Sequence, residues 1–546
     1  MTNNFLQRYL LPIVMFFLGL AVFLFWQCGY PQALSYQEQC QLFLWTGDYF
    51  VHRCVVPDGL SAYVGELLTQ FFYVGWLGAI IYSVLSMALL GTVVLLIRTK
   101  GAPISWLSVV FSLSVPLLLL TIQGDENFLP TYEVALLIAL IASLGRHSVL
   151  WDAIVLPLLY LAIGPMSWVY VLLRVFSQGW KTAWRIAYLL LLQFVAYWLL
   201  LPQTPLTEAL LGIDYYRIPL SLFLPWQLWA FPLVVTILIL LGRCVIAKGT
   251  RIQKRCVTFA FPVLSLLALS FGGQYDKDKY EMLMQDYLLR NERWADVVSR
   301  AEKYQPQTAF SSNAVNLALG MTRQLADRQF SFYQSGEDGL ISPASNNLVE
   351  GLPAAEAFFR LGLINSALRY TFDAQNSILN GRKSGRLCKR LAECYLINGR
   401  YQVARKYLDL LKNTVFYRQW AIEKTAYLNK DAMVQSDPVL GPLCRYRLKS
   451  NFLYNYPEID KIFGQLFVGN PSNKLALDYF MAQMLLKGNI QGFVNYMPWV
   501  QQYGDYAQMP VGYEDAMQAI QSHGQDGSSR YAAYVKRMMQ TPSAAQ

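Results

Sequence analysis

CGYPQALSYQEQCQLFLWTGDYFVHRCVVPDGLSAYVGELLTQ, residues 28–70, separates two apolar runs that are each long enough to cross a bilayer. It is far too long for a tight turn, and connectors of this length in closely connected bundles are either functional or disordered. Its Leu, Phe, Trp and Tyr content argues against disorder. Near its centre lie Asp48, in GDYF, and then His52 and Arg53. Chemistry, if the chain performs any, is expected here.

Working outward, apolar segments fall at about 9–27, 71–97, 104–122, 131–145, 148–164, 166–180, 186–201, 226–242 and 257–272. A helix of about 20 residues crosses the hydrocarbon core, so these segments predict about nine spans within residues 1–272. The first, Tyr9 to Trp26, exceeds a secretory signal's apolar stretch and is read as a retained span. In the 546-residue chain, 55% hydrophobic and 15% charged content agrees with a largely lipid-embedded first half.

The net charge of +10 does not indicate nucleic acid, because the basic residues sit in short connectors and no recognition motif accompanies them. Arg8, Arg98, Lys100, Arg146, Arg174, Lys181, Arg185, Arg243, Lys248, Arg251, Lys254 and Arg255 fall on one side of the alternating connectors, and Arg53 and Arg217 on the other. Basic residues mark the cytoplasmic side. The amino terminus is therefore expected inside, and residues 273–546 outside. The same count makes 148–180 a hairpin broken at Gly164-Pro165, since basic residues flank both of its ends.

The tail, 273–546, is less apolar and repeats itself. LGLINSALRYTF carries Gly362, Ala367 and Tyr370, and NGRYQVARKYLD carries Gly399, Ala404 and Tyr407, the same spacing displaced by 37 residues. Fainter echoes lie at Trp294 and Val297, and at Gly488 and Phe493. A turn glycine five positions before a small residue suits stacked helix-turn-helix units. The tail resembles the tetratricopeptide repeat family, which implies a soluble helical solenoid with a protein partner. The expected fold class is all-α: a polytopic transmembrane bundle followed by an extracytoplasmic helical-repeat domain.

Charged residues near the outer face are few. The first loop offers Glu38, Asp48, His52, Arg53, Asp58 and Glu66, the next connector Asp125, Glu126 and Glu133, and the one after the seventh span Glu208, Asp214, Tyr215, Tyr216 and Arg217. A carboxylate in a partly desolvated cleft suits a general base, and arginine suits phosphate. This layout resembles the GT-C superfamily of polytopic glycosyltransferases, which places a catalytic acid in a long first outer loop and often another in the next. The resemblance implies Asp48, Asp125 and Glu126 as catalytic residues, with His52, Arg53, Tyr215 and Arg217 at the substrate. Its substrate would be a polyprenyl-phosphate sugar among membrane lipids. GDYF supplies one acid where many members carry a pair, which leaves a metal requirement open; no metal-ligand residues are assigned and the cofactor is unknown.

The whole chain is also similar to an uncharacterised bacterial family of membrane proteins, through GDYF, PDGLSAYVGELLTQFFY and NLALGMTRQLADRQFSFYQ. That similarity implies a bacterial inner-membrane protein and says nothing about activity. Two other functions compete with glycosyl transfer: a membrane-anchored scaffold for envelope assembly, and a transporter or flippase. No phosphate-binding glycine loop, nucleophile elbow or zinc motif is present to support ATP-driven or hydrolytic chemistry.

Overall fold

The computed structural model describes residues 2–98, 104–123, 128, 130–145, 148–201, 210, 226–272, 277–344, 348–378, 381–448, 454–522 and 529–540. Their regular structure is helical, with no β-strand among the described residues. The chain divides into two units, Met1–Tyr275 with Asn413–Phe416, and Asp276–Lys412 with Tyr417–Gln546.

The first unit contains α1 (Thr2–Leu24), α2 (Pro31–Gln39), α3 (Gly47–Cys54), α4 (Gly59–Thr69), α5 (Gly75–Ile97), α6 (Trp106–Ser112), α7 (Ser114–Gln123), α8 (Pro130–Ser143), α9 (Val149–Ile163), α10 (Ser167–Gln178), α11 (Trp184–Leu200), α12 (Trp226–Lys248) and α13 (Arg251–Gly272). Each expected apolar segment is thus helical. Six stretches among the described residues are long and apolar enough to cross a membrane, and Pro130–Ser143 and Trp184–Leu200 are apolar but shorter.

Val149–Gln178 counts as one of the six by length, yet its geometry is that of a hairpin. Gly164 takes φ +52°, and Pro165 follows in a single 3₁₀ turn. Asp152 then meets Tyr170 and Arg174, eighteen and twenty-two residues later. At about 1.5 Å per residue, a continuous helix would hold these side chains far out of reach. The chain must therefore double back at Gly164.

Around that turn, α8 packs on α4, α5 and α10, and is buried along most of its length. Its Leu136 and Leu140 belong to one buried core with Leu89 and Val93 of α5, Tyr170 of α10 and Val235 of α12. Trp26 stacks on Tyr82, with centroids 4.7 Å apart, fixing the end of the first apolar segment against α5.

The second unit is built from helix pairs joined by tight turns. It contains α14 (Lys277–Arg290), α15 (Trp294–Lys303), α16 (Ala309–Met321), α17 (Leu348–Leu361), α18 (Ile364–Asn376), α19 (Gly385–Ile397), α20 (Tyr401–Leu411), α21 (Leu440–Tyr446), α22 (Ile459–Gly469), α23 (Lys474–Leu486), α24 (Ile490–Tyr503), α25 (Val511–Gln521) and α26 (Arg530–Gln540), with shorter helices between.

Its turns share one hydrogen-bond pattern. Leu363 N–H bonds to Phe358 O at 2.9 Å, Arg400 to Tyr395 at 2.9 Å and Asn489 to Met484 at 2.8 Å, each following a glycine at positive φ. This is the six-to-one closure in which a left-handed residue ends the first helix. Arg293 to Leu288 repeats it at 3.0 Å, with Glu292 in the left-handed conformation. Five residues beyond each of these four turn positions, Val297, Ala367, Ala404 and Phe493 are all 0% exposed. The repeated spacing marks helix pairs.

Candidate functional site

The connector between the first two apolar runs folds into three short helices. Phe43 organises them: its ring lies 5.4 Å from Trp45, 5.4 Å from Tyr49 and 5.1 Å from Tyr63, and Phe50 packs edge-on to Tyr63 at 5.0 Å. The aromatic content thus gathers around the buried Phe43, with Trp45 and Phe50 exposed at its rim. Thr46 caps α3 by accepting the Tyr49 N–H at 3.3 Å. Asp48 follows in the first turn, where an acid is favoured by the helix dipole.

Asp48 is exposed, as is His52 in the last turn of α3. Arg53 turns inward: its guanidinium lies 2.7 Å from Glu66 Oε1, and the Tyr49 hydroxyl donates to Glu66 Oε2 at 2.5 Å. Burial and the Glu66 charge raise the Tyr49 hydroxyl well above its ordinary pKa, with Arg53 opposing, so that Tyr49 stays a donor. Asp125, Glu126, Tyr215 and Arg217 lie outside the described residues. Two motif neighbours, Tyr49 and Arg53, therefore meet on a carboxylate from α4, while Asp48 faces water.

Four acids of the connector and of the helix it rests on are buried. Glu38 is 4% exposed, Asp58 1%, Glu66 1% and Glu133 0%. They come from α2, the α4 amino terminus, α4 and α8. A charged side chain in such surroundings must be paired or functional. Gln32, Gln37, Gln39 and Gln41 are buried in or beside α2, and Tyr82 donates to Gln37 Oε1 at 3.0 Å. A helix reading PQALSYQEQ is too polar to bury on its own account, and the Tyr82 hydroxyl ties it to α5.

Two glycines allow the connector to sit down on the bundle. A Cβ on Gly65 would lie 2.5 Å from Thr131 N, so α4 crosses the start of α8 at backbone contact. A Cβ on Gly164 would lie 2.9 Å from the Asp58 Cβ, which puts Asp58 against the α9–α10 turn. Glu66 is next to the first crossing, and Glu133 is two residues past it.

Glu133 differs chemically from Glu66. Glu66 has both oxygens engaged, by Tyr49 and Arg53. Glu133 Oε2 accepts from Gln123 Nε2 at 2.7 Å, while Oε1 is buried with no hydrogen-bond partner among the described residues. A carboxylate oxygen left in this state retains a lone pair for a ligand's proton.

A second charge cluster lies elsewhere in this unit. Arg185 bonds to Asp152 Oδ2 through Nε at 2.8 Å, Tyr170 donates to Asp152 Oδ1, and Arg174 reaches the Ala142 and Gly145 carbonyls at 3.4 and 3.3 Å. Arg174 thereby adds a donor to carbonyls at the end of α8, where helix carbonyls run short of intrahelical partners; Ala142 also accepts from the Gly145 N–H at 3.1 Å. These residues bind α8, α9, α10 and α11 to one another and enclose their charge.

Sequence reasoning placed Glu66 and Glu133 among the outer acids without favouring them. The signal for Glu66 was present: Ala62, Gly65, Glu66 and Thr69 form one helical stripe, small apart from the acid. Stripes of that kind let helices approach closely, and this one carries Glu66 inward. Glu133 has no comparable local signature, because its burial comes from the surrounding helices.

No curated protein and no solved structure matches the chain. Residues 6–543 match a family of unknown function, DUF6057, and the chain belongs to that family.

Proposed function

We propose that the protein is a multi-pass membrane protein that holds the polar head of a lipid-phosphate-linked sugar beneath the 28–70 connector and transfers the sugar to an acceptor hydroxyl. The supporting observation is Glu133, a fully buried carboxylate with an oxygen uncommitted among the described residues. In the proposed step Glu133 takes the acceptor's hydroxyl proton, the oxygen attacks the anomeric carbon, and the lipid phosphate leaves with the bonding pair. A base must come within about 3 Å of the proton, directly or through one water. Arg53, already turned toward the buried layer, supplies positive charge near the phosphate. Asp48, open to water, gains no such desolvation and serves as the control.

The test is transfer of label from a radiolabelled polyprenyl-phosphate hexose in membranes enriched in the protein. Glu133→Gln should lower transfer by at least about a hundredfold, the lower range for losing general base catalysis, whereas Asp48→Asn should retain it. Loss with Asp48→Asn and retention with Glu133→Gln would return the base to the first loop. The exposure of Asp48 favours a second reading, a non-catalytic scaffold anchored by the apolar helices. Absence of transfer above background in enriched membranes would select it.

A further inference from the structure

In the second unit, α21 to α24 border a cleft of about 1170 Å³ whose lining includes Arg445, Tyr446, Gln465, Phe480, Tyr496 and Trp499. Trp499 packs at 4.7 Å from Tyr496 and stacks at 5.7 Å on Phe480, which is buried. Phe480 thus supports the two rings from below, and Tyr496 and Trp499 remain half-buried at the cleft.

The charges lining the cleft are unequally committed. Lys461 is paired with Glu458, Asp460 with Lys487 at 2.6 Å, and Arg447 donates to the Ile397 carbonyl at 3.0 Å. Arg445 is exposed and its guanidinium makes no hydrogen bond or ion pair among the described residues. Gln465 Oε1 is sealed from solvent with no hydrogen-bond partner among the described residues. The cleft therefore offers aromatic surface, one uncommitted cation and one acceptor in need of a donor.

We propose that this cleft binds an acidic saccharide, a sugar ring bearing a carboxylate. The ring's C–H face lies on Trp499 with Tyr496 at its edge, the half-buried Gln465 side chain rotates to bring its Oε1 to a ring hydroxyl, and the carboxylate takes the planar fork of Arg445. An extended peptide fits less well. Each of its residues brings a backbone N–H and C=O that must be met, and helical walls present no strand edge to meet them. The proposal goes beyond the transfer reaction and stands on the second unit alone.

Titration calorimetry of the detergent-solubilised full chain tests it, with trigalacturonate, neutral maltotriose and an acidic hexapeptide as probes. Trigalacturonate should bind saturably and more tightly than maltotriose. Arg445→Gln, at an exposed position, should weaken it about tenfold, as for one charge-assisted contact, and Gln465→Ala should weaken it too. Trp499→Phe should abolish any ligand-induced change in tryptophan fluorescence. No saturable binding of trigalacturonate, equal binding of maltotriose, preference for the peptide, or wild-type affinity in Arg445→Gln would each overturn the assignment.

Discussion

At the scale of single residues, two buried acids of the second unit respond to pH in opposite senses. Burial pushes the Asp478 carboxyl up to about 6, against the pull of Arg323 at 2.5 Å and the Tyr506 hydroxyl. Burial also works to raise Glu356, but Arg390 and Arg360 outweigh it and bring that carboxyl down to about 2. An unfolded Asp titrates near about 3.9. The Asp478 contribution to stability is therefore full below that pH and is lost as pH rises through about 6. Glu356 contributes above the ordinary Glu value of about 4.3 and loses that contribution as pH falls through about 2. Stability should thus be greatest at mildly acidic pH. Thermal unfolding of the full chain in detergent should show a fall of up to about 3 kcal/mol between pH 4 and 7, since each pH unit between the folded and unfolded titration points is worth about 1.36 kcal/mol. Asp478→Asn should flatten that fall, and an unchanged slope would exonerate Asp478.

At the scale of elements, the repeated turns make a graded prediction. Gly362 and Gly399 both take positive φ, at +87° and +68°. A Cβ on Gly399 meets nothing within 4 Å, whereas one on Gly362 would lie 2.6 Å from the Tyr446 Cβ. Gly399→Ala should cost only the left-handed backbone penalty, about 1 to 2 kcal/mol, and Gly362→Ala distinctly more. Chemical denaturation that ranks them in the reverse order would remove the steric account. Ala404, fully buried at its helix crossing, should resist enlargement, with Ala404→Leu costing about 1 to 3 kcal/mol in the same measurement. These elements were legible in the sequence because glycine at a left-handed turn and a small residue at a crossing are local requirements of the backbone. The buried acids were less so. Whether Asp48 or Glu66 faces inward depends on how α3 and α4 roll against α8, and no property of GDYF alone reports that. The turn at Glu292 was legible only as the faint echo at Trp294 and Val297, since a non-glycine residue in the left-handed region leaves no compositional mark.

At the scale of the whole molecule, the distribution of basic residues supports a proposed topology with the amino terminus cytoplasmic. Reporter fusions after Lys100 and Lys248 should report the cytoplasm and a fusion after Gln546 the opposite side. A cytoplasmic signal at Gln546 would mean that the spans are miscounted. The hairpin at Gly164 carries a further consequence, for biogenesis. A chain threaded into a bilayer enters in order of synthesis, so Asp152 emerges twenty-two residues before Arg174 and thirty-three before Arg185, its partners in the finished bundle. Asp152 stands in the first turn of α9, where an unpaired acid still resists leaving water, at less than the roughly 2.5 to 3.5 kcal/mol it costs at a helix centre. On the proposed multi-pass topology, the segment bearing Asp152 is better retained in the translocation channel until its arginines arrive, and α9, α10 and α11 should partition into lipid together as one cargo.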